Sequence, residues 1–346
     1  MRVLVTGADG YIGARLGPYL RARGHEVVGL DTGFYADGWL PVDAAEPPPC
    51  LRRDVRRVGD DALGGVDAVV HLAELSNDPL GQLDPAVTRD INYRGSLRLA
   101  RRCKALGVRR FVYSSSCSVY GAAADGPRTE TSATAPQTAY AECKLLVERG
   151  LAALADERFS PTILRNATAF GPSPRMRFDL VLNNLAASAW TSGEIRMVSD
   201  GTPWRPLVHV LDICEAMAIV LEAPREVVHG ETFNVGGDGQ NYRVKDIAET
   251  VAGALPGCRL AFGAATGDRR SYRVAFEKIE RRLGFRCRRD ARAGAHELRA
   301  WFERLGLTAA DVERRPFTRL RQLEHLLATG QLDRRLRWQP AARVAA

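Results

Sequence analysis

Through the first 165 residues, short apolar runs bounded by turn residues alternate with stretches whose apolar positions recur every three or four residues. That alternation predicts a parallel sheet with crossover helices. Strands are expected at Arg2–Val5, Glu26–Leu30, Ala68–Leu72, Phe111–Ser114 and Pro161–Arg165, and helices near Ile12–Arg23, Val87–Leu106 and Tyr140–Asp156. The proline-rich piece from Val42 to Cys50 continues neither element easily and reads as a surface loop after the second strand. After Gly171-Pro172 the pattern loosens, then returns to helix at Leu180–Ser192 and Leu211–Glu222 and to strand at Glu231–Val235. The fold class expected is therefore α/β, a doubly wound Rossmann-type parallel sheet with a smaller, interleaved C-terminal lobe. Residues 1–171 would form the first unit and also receive about 207–236. Residues 172–206 and 237–346 would form the second lobe and a C-terminal helical extension. Two amphipathic stretches in that extension, Leu298–Leu305 and Phe317–Leu327, read as packing elements over the second lobe.

Composition narrows the class. At 346 residues the chain can bury a full core. Its seven cysteines are odd in number and scattered, with no C-x-x-C pair, which argues against a disulfide framework and a zinc site. Six scattered histidines without paired spacing add no metal site. The N-terminus enters a strand at once, and no run approaches the ~20 apolar residues of a membrane helix. A cytoplasmic enzyme with reduced thiols and no membrane partner is expected. The net charge of +8 is almost wholly arginine, lysine occurring only at Lys104, Lys144, Lys245 and Lys278. We read this as a coding bias together with a basic cleft for a diphosphate substrate, and expect no nucleic-acid partner.

Two motifs carry chemistry. Thr6-Gly7-Ala8-Asp9-Gly10-Tyr11-Ile12-Gly13 is a glycine-rich turn between a strand and a helix, suited to bring bare N–H groups and a positive helix end against a dinucleotide pyrophosphate. Its G-x-x-G-x-x-G spacing differs from the G-x-G-x-x-G fingerprint, but Asp31 stands at the end of the second strand. A carboxylate there accepts hydrogen bonds from the adenosine ribose and repels a 2′-phosphate, favouring NAD over NADP. Asp54 and Val55 would contact adenine, and Leu72 and Ala73 would line the groove. The second motif, Tyr140-Ala141-Glu142-Cys143-Lys144, sets a phenol and an ammonium one helical turn apart. Free phenol has a pKa of ~10, so a neighbouring cation favours the phenolate that can remove a hydroxyl proton.

Further motifs occur in order along the chain: His71-Leu72-Ala73, Asn92-x-x-Gly95, Ser114 to Gly121, Arg165 with Phe170-Gly171-Pro172, and Arg205 with His209-Val210-x-Asp212. On these residues the chain resembles the extended short-chain dehydrogenase/reductases of the NAD-dependent epimerase/dehydratase family, which act on nucleotide sugars. The resemblance implies NAD as cofactor, held by Gly7, Gly10, Tyr11, Ile12, Gly13, Asp31, Asp54, Val55, Leu72, Ala73, Asn92, Tyr140 and Lys144. It implies a catalytic set of Ser116, Tyr140 and Lys144, substrate contacts at Ser118, Thr168, Asn183, Asn184, Arg205 and Arg270, and a homodimer through the helices near Val87–Leu106 and Tyr140–Asp156. Relatives that eliminate water across C5 and C6 carry Asp-Glu after the serine. Cys117-Ser118 stands here, and a small hydroxyl residue at 118 resembles the 4-epimerases.

The activity expected is NAD-dependent epimerisation of a nucleotide sugar at C4, with a keto-sugar reductase, a C3/C5 epimerase and a cofactor-sensing protein as rivals. The family pattern is broken at three places: Thr168 replaces an Asn, Pro206 an Asp, and Glu74 a small residue. Glu74 reads as a solvated loop acid, and His71 and His209 as packed, hydrogen-bonded residues rather than bases or ligands.

Overall fold

The computed structural model describes residues 1–41, 46–122, 126–197, 199–264 and 271–340. Seven strands form one wholly parallel sheet, in the spatial order Thr232–Val235, Ser160–Asn166, Arg110–Ser116, Ala68–His71, Arg2–Thr6, Glu26–Asp31, Cys50–Arg52. Successive side chains of a strand face opposite sides, so one strand feeds two cores. Val3 and Val5 join Leu16 and Leu20 of the helix Gly13–Ala22 and Met217 and Leu221 of the helix Val210–Glu222. Leu4, between them, joins Leu97 and Leu99 of the helix Ser96–Ala105 and Val147 and Leu151 of the helix Ala139–Leu154. The chain runs outward from the first strand in one direction, then crosses to Ala68–His71 on its other side. That reversal opens a crevice at the carboxyl ends of the strands, where open α/β sheets bind ligands.

The edge strand Cys50–Arg52 is absent from the sequence expectation, which placed a surface loop up to Cys50. Residues 42–45 lie outside the described residues. Two of the prolines that lead into the strand are tied to the fold: Pro49 offers its carbonyl to Gly29 N (2.7 Å), and the buried Pro48 ring lies where a Cβ on Gly17 would stand. A proline run can join a sheet edge because only its carbonyls are needed there.

The second lobe is built on a third core, Leu182 and Leu185 with Ile247, Val251, Leu298 and Phe302, contributed by the helices Val181–Ser192, Val244–Ala254 and Ala291–Leu305. The helix Val210–Glu222 and strand Thr232–Val235 return to the large sheet, whereas Trp204–His209 forms a separate small sheet with Thr168–Phe170 and Asn241–Arg243.

The last amphipathic stretch departs from expectation. Leu323 and Leu326 of the helix Arg319–Ala328 join the core of Phe34, Val55, Leu80 and Ile91, so this helix packs on the first unit rather than over the second lobe. Its apolar stripe called for a partner without specifying one, and the surface beyond the second strand provides it. Trp338 then donates its indole N–H to Thr32 O (2.7 Å) and Gln322 its amide to Phe34 O (3.1 Å). Among the described residues no helix is long and apolar enough to cross a membrane, and no group of acids, cysteines and histidines could hold a metal. All seven cysteines are free.

Candidate active site

A cavity of about 590 Å³ opens at the carboxyl ends of the strands, between the sheet and the second lobe. Its floor begins at the glycine turn. Gly7 has φ +74°, and a Cβ on it would lie 2.8 Å from Ala73 N. A Cβ on Gly13 would collide with Gly7 O. Only bare backbone lets the turn approach the neighbouring strand and the helix Gly13–Ala22 begin at once. No side chain among the described residues caps that helix, and Gly7, Gly10, Tyr11, Ile12 and Gly13 all line the cavity. An uncapped positive helix end against bare backbone fits a pyrophosphate.

Asp31 lines the same cavity and ties the turn together, its carboxylate accepting from Asp9 N (3.1 Å) and Gly33 N (2.8 Å). Burial raises its pKa. Each oxygen keeps a further lone pair for a ribose hydroxyl. Asp54 and Val55 line this end too, with Asp54 held by the Arg56 guanidinium at 2.6 Å.

At the other end stand Ser116, Tyr140 and Lys144. Ser116 ends its strand and lines the cavity with Tyr140, and its Oγ accepts from Ser118 N (3.1 Å). Tyr140 and Lys144 lie on one face of the helix Ala139–Leu154, which Thr138 caps through Ala141 N. The Lys144 ammonium lies 5.5 Å from the Tyr140 ring centroid and 4.8 Å from that of Tyr113, and donates to Ser114 O. Burial raises the Tyr140 pKa; Lys144 and Ser116 pull it down, while Glu74 and Asp78 push it up.

Glu74 corrects the sequence reading. Its side chain is 2% exposed, pairs with Lys144 Nζ at 2.8 Å and accepts from Tyr113 Oη at 2.7 Å. It lies at the cavity wall, held by Lys144 rather than by solvent. His71 is packed as expected: Nδ1 lies 2.7 Å from Thr6 Oγ1 and Nε2 2.7 Å from Ser96 Oγ. Thr6 Oγ1 accepts from Leu72 N and Ala73 N, so it donates to Nδ1 and the ring carries its proton on Nε2. Burial lowers the His71 pKa to about 3, keeping the ring neutral. His209 is also buried, 2.9 Å from Glu297.

Several expected contacts fall elsewhere. Asn92 is outside the cavity lining; its amide accepts from Leu75 N (2.9 Å) and donates to Leu75 O (3.0 Å), fixing the segment that carries Glu74. Asn183 and Asn184 are also outside the lining. Asn183 accepts from Gly171 N (2.9 Å) and Asn184 donates to Phe178 O (2.9 Å), so both brace the lobe instead of facing a substrate. Arg270 lies outside the described residues. Leu72, Ala73, Ser118, Thr168 and Arg205 do line the cavity. Ser118 Oγ and Asn166 Oδ1 are buried without a hydrogen-bond partner among the described residues, which suits a ligand rich in hydroxyls.

The sequence reading missed the roof. Arg177 holds Asp179 through two parallel hydrogen bonds (2.9 and 2.8 Å), Asn77 donates to Asp179 (2.8 Å), and the Arg319 guanidinium lies 4.2 Å from the Tyr35 ring centroid. All five line the cavity. The paired Arg-x-Asp was visible as a signal; nothing in the sequence tied Arg319 to it.

The family model of the NAD dependent epimerase/dehydratase family matches residues 3–236. The chain is 29% identical over 306 residues to UDP-glucose 4-epimerase of Corynebacterium glutamicum, covering 82% of this chain and 90% of that protein. Among solved structures, MoeE5 in complex with UDP-glucuronic acid and NAD is similar at 29% identity and a TM-score of 0.77, over 88% of this chain and 99% of that one. DesIV, a dTDP-glucose 4,6-dehydratase from Streptomyces venezuelae with NAD bound, is similar at 27% identity and the same TM-score, over 88% and 97%.

Proposed function

The chain belongs to the NAD-dependent epimerase/dehydratase family and works with NAD, and on that premise we propose that it epimerises a nucleotide sugar at C4 through a transient 4-keto sugar. The observation that carries the reading is the meeting of Ser116, Tyr140 and Lys144 with the glycine turn and Asp31 in one cavity. Bound NAD supplies hydride acceptance and return at the carbinol carbon. Tyr140 Oη takes the hydroxyl proton as the hydride departs and gives it back on return. Ser116 Oγ holds the same sugar oxygen in line, and Lys144 keeps positive charge beside the phenol.

Inversion further requires that the keto sugar turn over inside the site and that no group divert it to elimination. The second requirement is supported by the residues after Ser116. Cys117 is buried with its Sγ on Arg165 O (3.1 Å), and Ser118 offers an unpartnered hydroxyl instead of an acid. The nucleotide sugars of UDP-glucose 4-epimerase and MoeE5 support the substrate class, and Arg205 at the cavity wall suits a diphosphate. A homodimer and a cytoplasmic location belong to the same proposal, the former checked by sedimentation.

The test is NMR of UDP-, GDP- and dTDP-sugars with the protein and NAD, without reductant, in deuterated water. Inversion at C4 with no carbon-bound deuterium is expected. Deuterium beside a carbonyl carbon would assign C3 or C5 epimerisation, and turnover only with a keto sugar and NADH would assign a reductase.

A further inference from the structure

We propose that Glu74 is a charge-setting positioning residue of the catalytic pair: its buried carboxylate clamps the Lys144 ammonium, so that Tyr140 keeps its proton until a cationic nicotinamide ring stands beside it. The proposal rests on Tyr140 as the acid–base residue. Three observations carry it. Glu74 lines the cavity but turns its oxygens away from solvent, one to Lys144 Nζ (2.8 Å), the other to Tyr113 Oη (2.7 Å) and Ser96 Oγ (3.5 Å). The segment is anchored on both sides, Leu72 and Ala73 by Thr6 Oγ1, and Leu75 by the Asn92 amide. Lys144 is itself buried, and among the described residues Glu74 and the Ser114 carbonyl are the oxygen partners that replace its lost water.

An ammonium alone favours a neighbouring phenolate; an ammonium paired with a buried carboxylate presents a nearly neutral group. The charged groups facing Tyr140 are Lys144 on its own helix, Glu74 after the fourth strand, Asp78 on the helix Asp78–Gln82, and Arg177 from the roof. Those facing the pair itself include Tyr113, Glu148, His71 and Cys143. His71 is neutral, and Glu148 is spoken for by Arg165 at 2.6 Å. After Lys144 itself, Glu74 is therefore the charge whose removal most changes what Tyr140 feels. In the C4 reading, the consequence is that Tyr140 carries its proton whenever the cofactor is reduced and neutral, ready to return it to the keto oxygen before the intermediate escapes.

The test titrates Tyr140 directly in the NAD-loaded protein, as the phenolate ultraviolet absorbance that disappears in Tyr140→Phe. Glu74→Gln removes the charge and keeps an acceptor for Tyr113. Its midpoint is expected to fall by about one pH unit or more, tenfold in the ionisation constant. Glu74→Ala, which installs the small side chain common in the family, should move the midpoint in the same direction and serves if Glu74→Gln does not fold. Tyr113→Phe, which removes a hydrogen bond but leaves the charge, should keep the wild-type midpoint. An unchanged or raised midpoint in the Glu74 variants, or an equal fall in Tyr113→Phe, would overturn the proposal. No sugar is needed, so the result stands apart from the C4 reading.

Discussion

The floor and the roof of the cavity are built in different ways. The floor is local: the glycine turn lies within one strand–turn–helix unit, and Tyr140 and Lys144 lie on one helical turn. The roof is closed over long stretches of chain. Asn77 reaches Asp179 across 102 residues, and Trp338 reaches Thr32 across 306. Local motifs set the chemistry, because hydride and proton transfer need fixed spacings; long-range closure sets what the site admits and how firmly it is held.

If that division holds, damage to each part should read out differently. The largest effect is expected from Tyr140→Phe, a loss of roughly 10²–10⁴ in kcat on the active sugar with NAD affinity unchanged, measured by steady-state kinetics and calorimetry. Gly13→Ala should do the opposite. The new methyl would drive into Gly7 O, and NAD affinity is expected to fall by about 100-fold, ~2.7 kcal/mol, in the same calorimetric experiment.

Arg319→Ala attacks the roof alone. It strips the partner from Pro316 O and Arg175 O and uncovers Tyr35, so thermal melting should show a loss of about 1–3 kcal/mol while the Tyr140 titration midpoint stays put. A shifted midpoint would show that roof and floor are coupled.

His71, beneath the floor, gives a pH signature. Its folded pKa, lowered by burial to about 3, lies below the ordinary 6.5, so the unfolded chain binds the extra proton first. The stability this neutral ring contributes is complete above pH 6.5 and is lost as pH falls toward 3, with a slope of up to about 1.4 kcal/mol per pH unit. Urea unfolding of wild type and His71→Gln between pH 7 and 4 should show a shallower slope in the variant. The smallest change expected is a gain. Gly253 lies exposed in the helix Val244–Ala254 with open space around its Cβ position, so Gly253→Ala should raise stability by ~0.5–1 kcal/mol with no effect on cofactor binding.

The same contrast explains what could be read from the sequence. The strands of the sheet were legible because burial on both faces leaves unbroken apolar runs, and the glycine turn and Tyr140-x-x-x-Lys144 because their geometry is written in their spacing. The strand Cys50–Arg52 was not, being three residues behind a run of prolines. Glu74 was misread because an acid after a strand does not disclose a lysine 70 positions on; its partner exists only once the helix Ala139–Leu154 packs on the sheet. Asn92, Asn183 and Asn184 were given ligand contacts that their amides spend on backbone groups, a choice composition does not reveal. The helix Arg319–Ala328 showed an apolar stripe, which states that it packs but not on what.

The central claim, that one cavity removes a hydride from C4 and returns it to the other face, is tested most directly with a nucleotide sugar carrying deuterium at C4. The account predicts that the inverted product retains the label at C4 in full, with no loss to water and no accumulation of free NADH. Label washed into solvent, or product formed only as NADH is consumed, would contradict it.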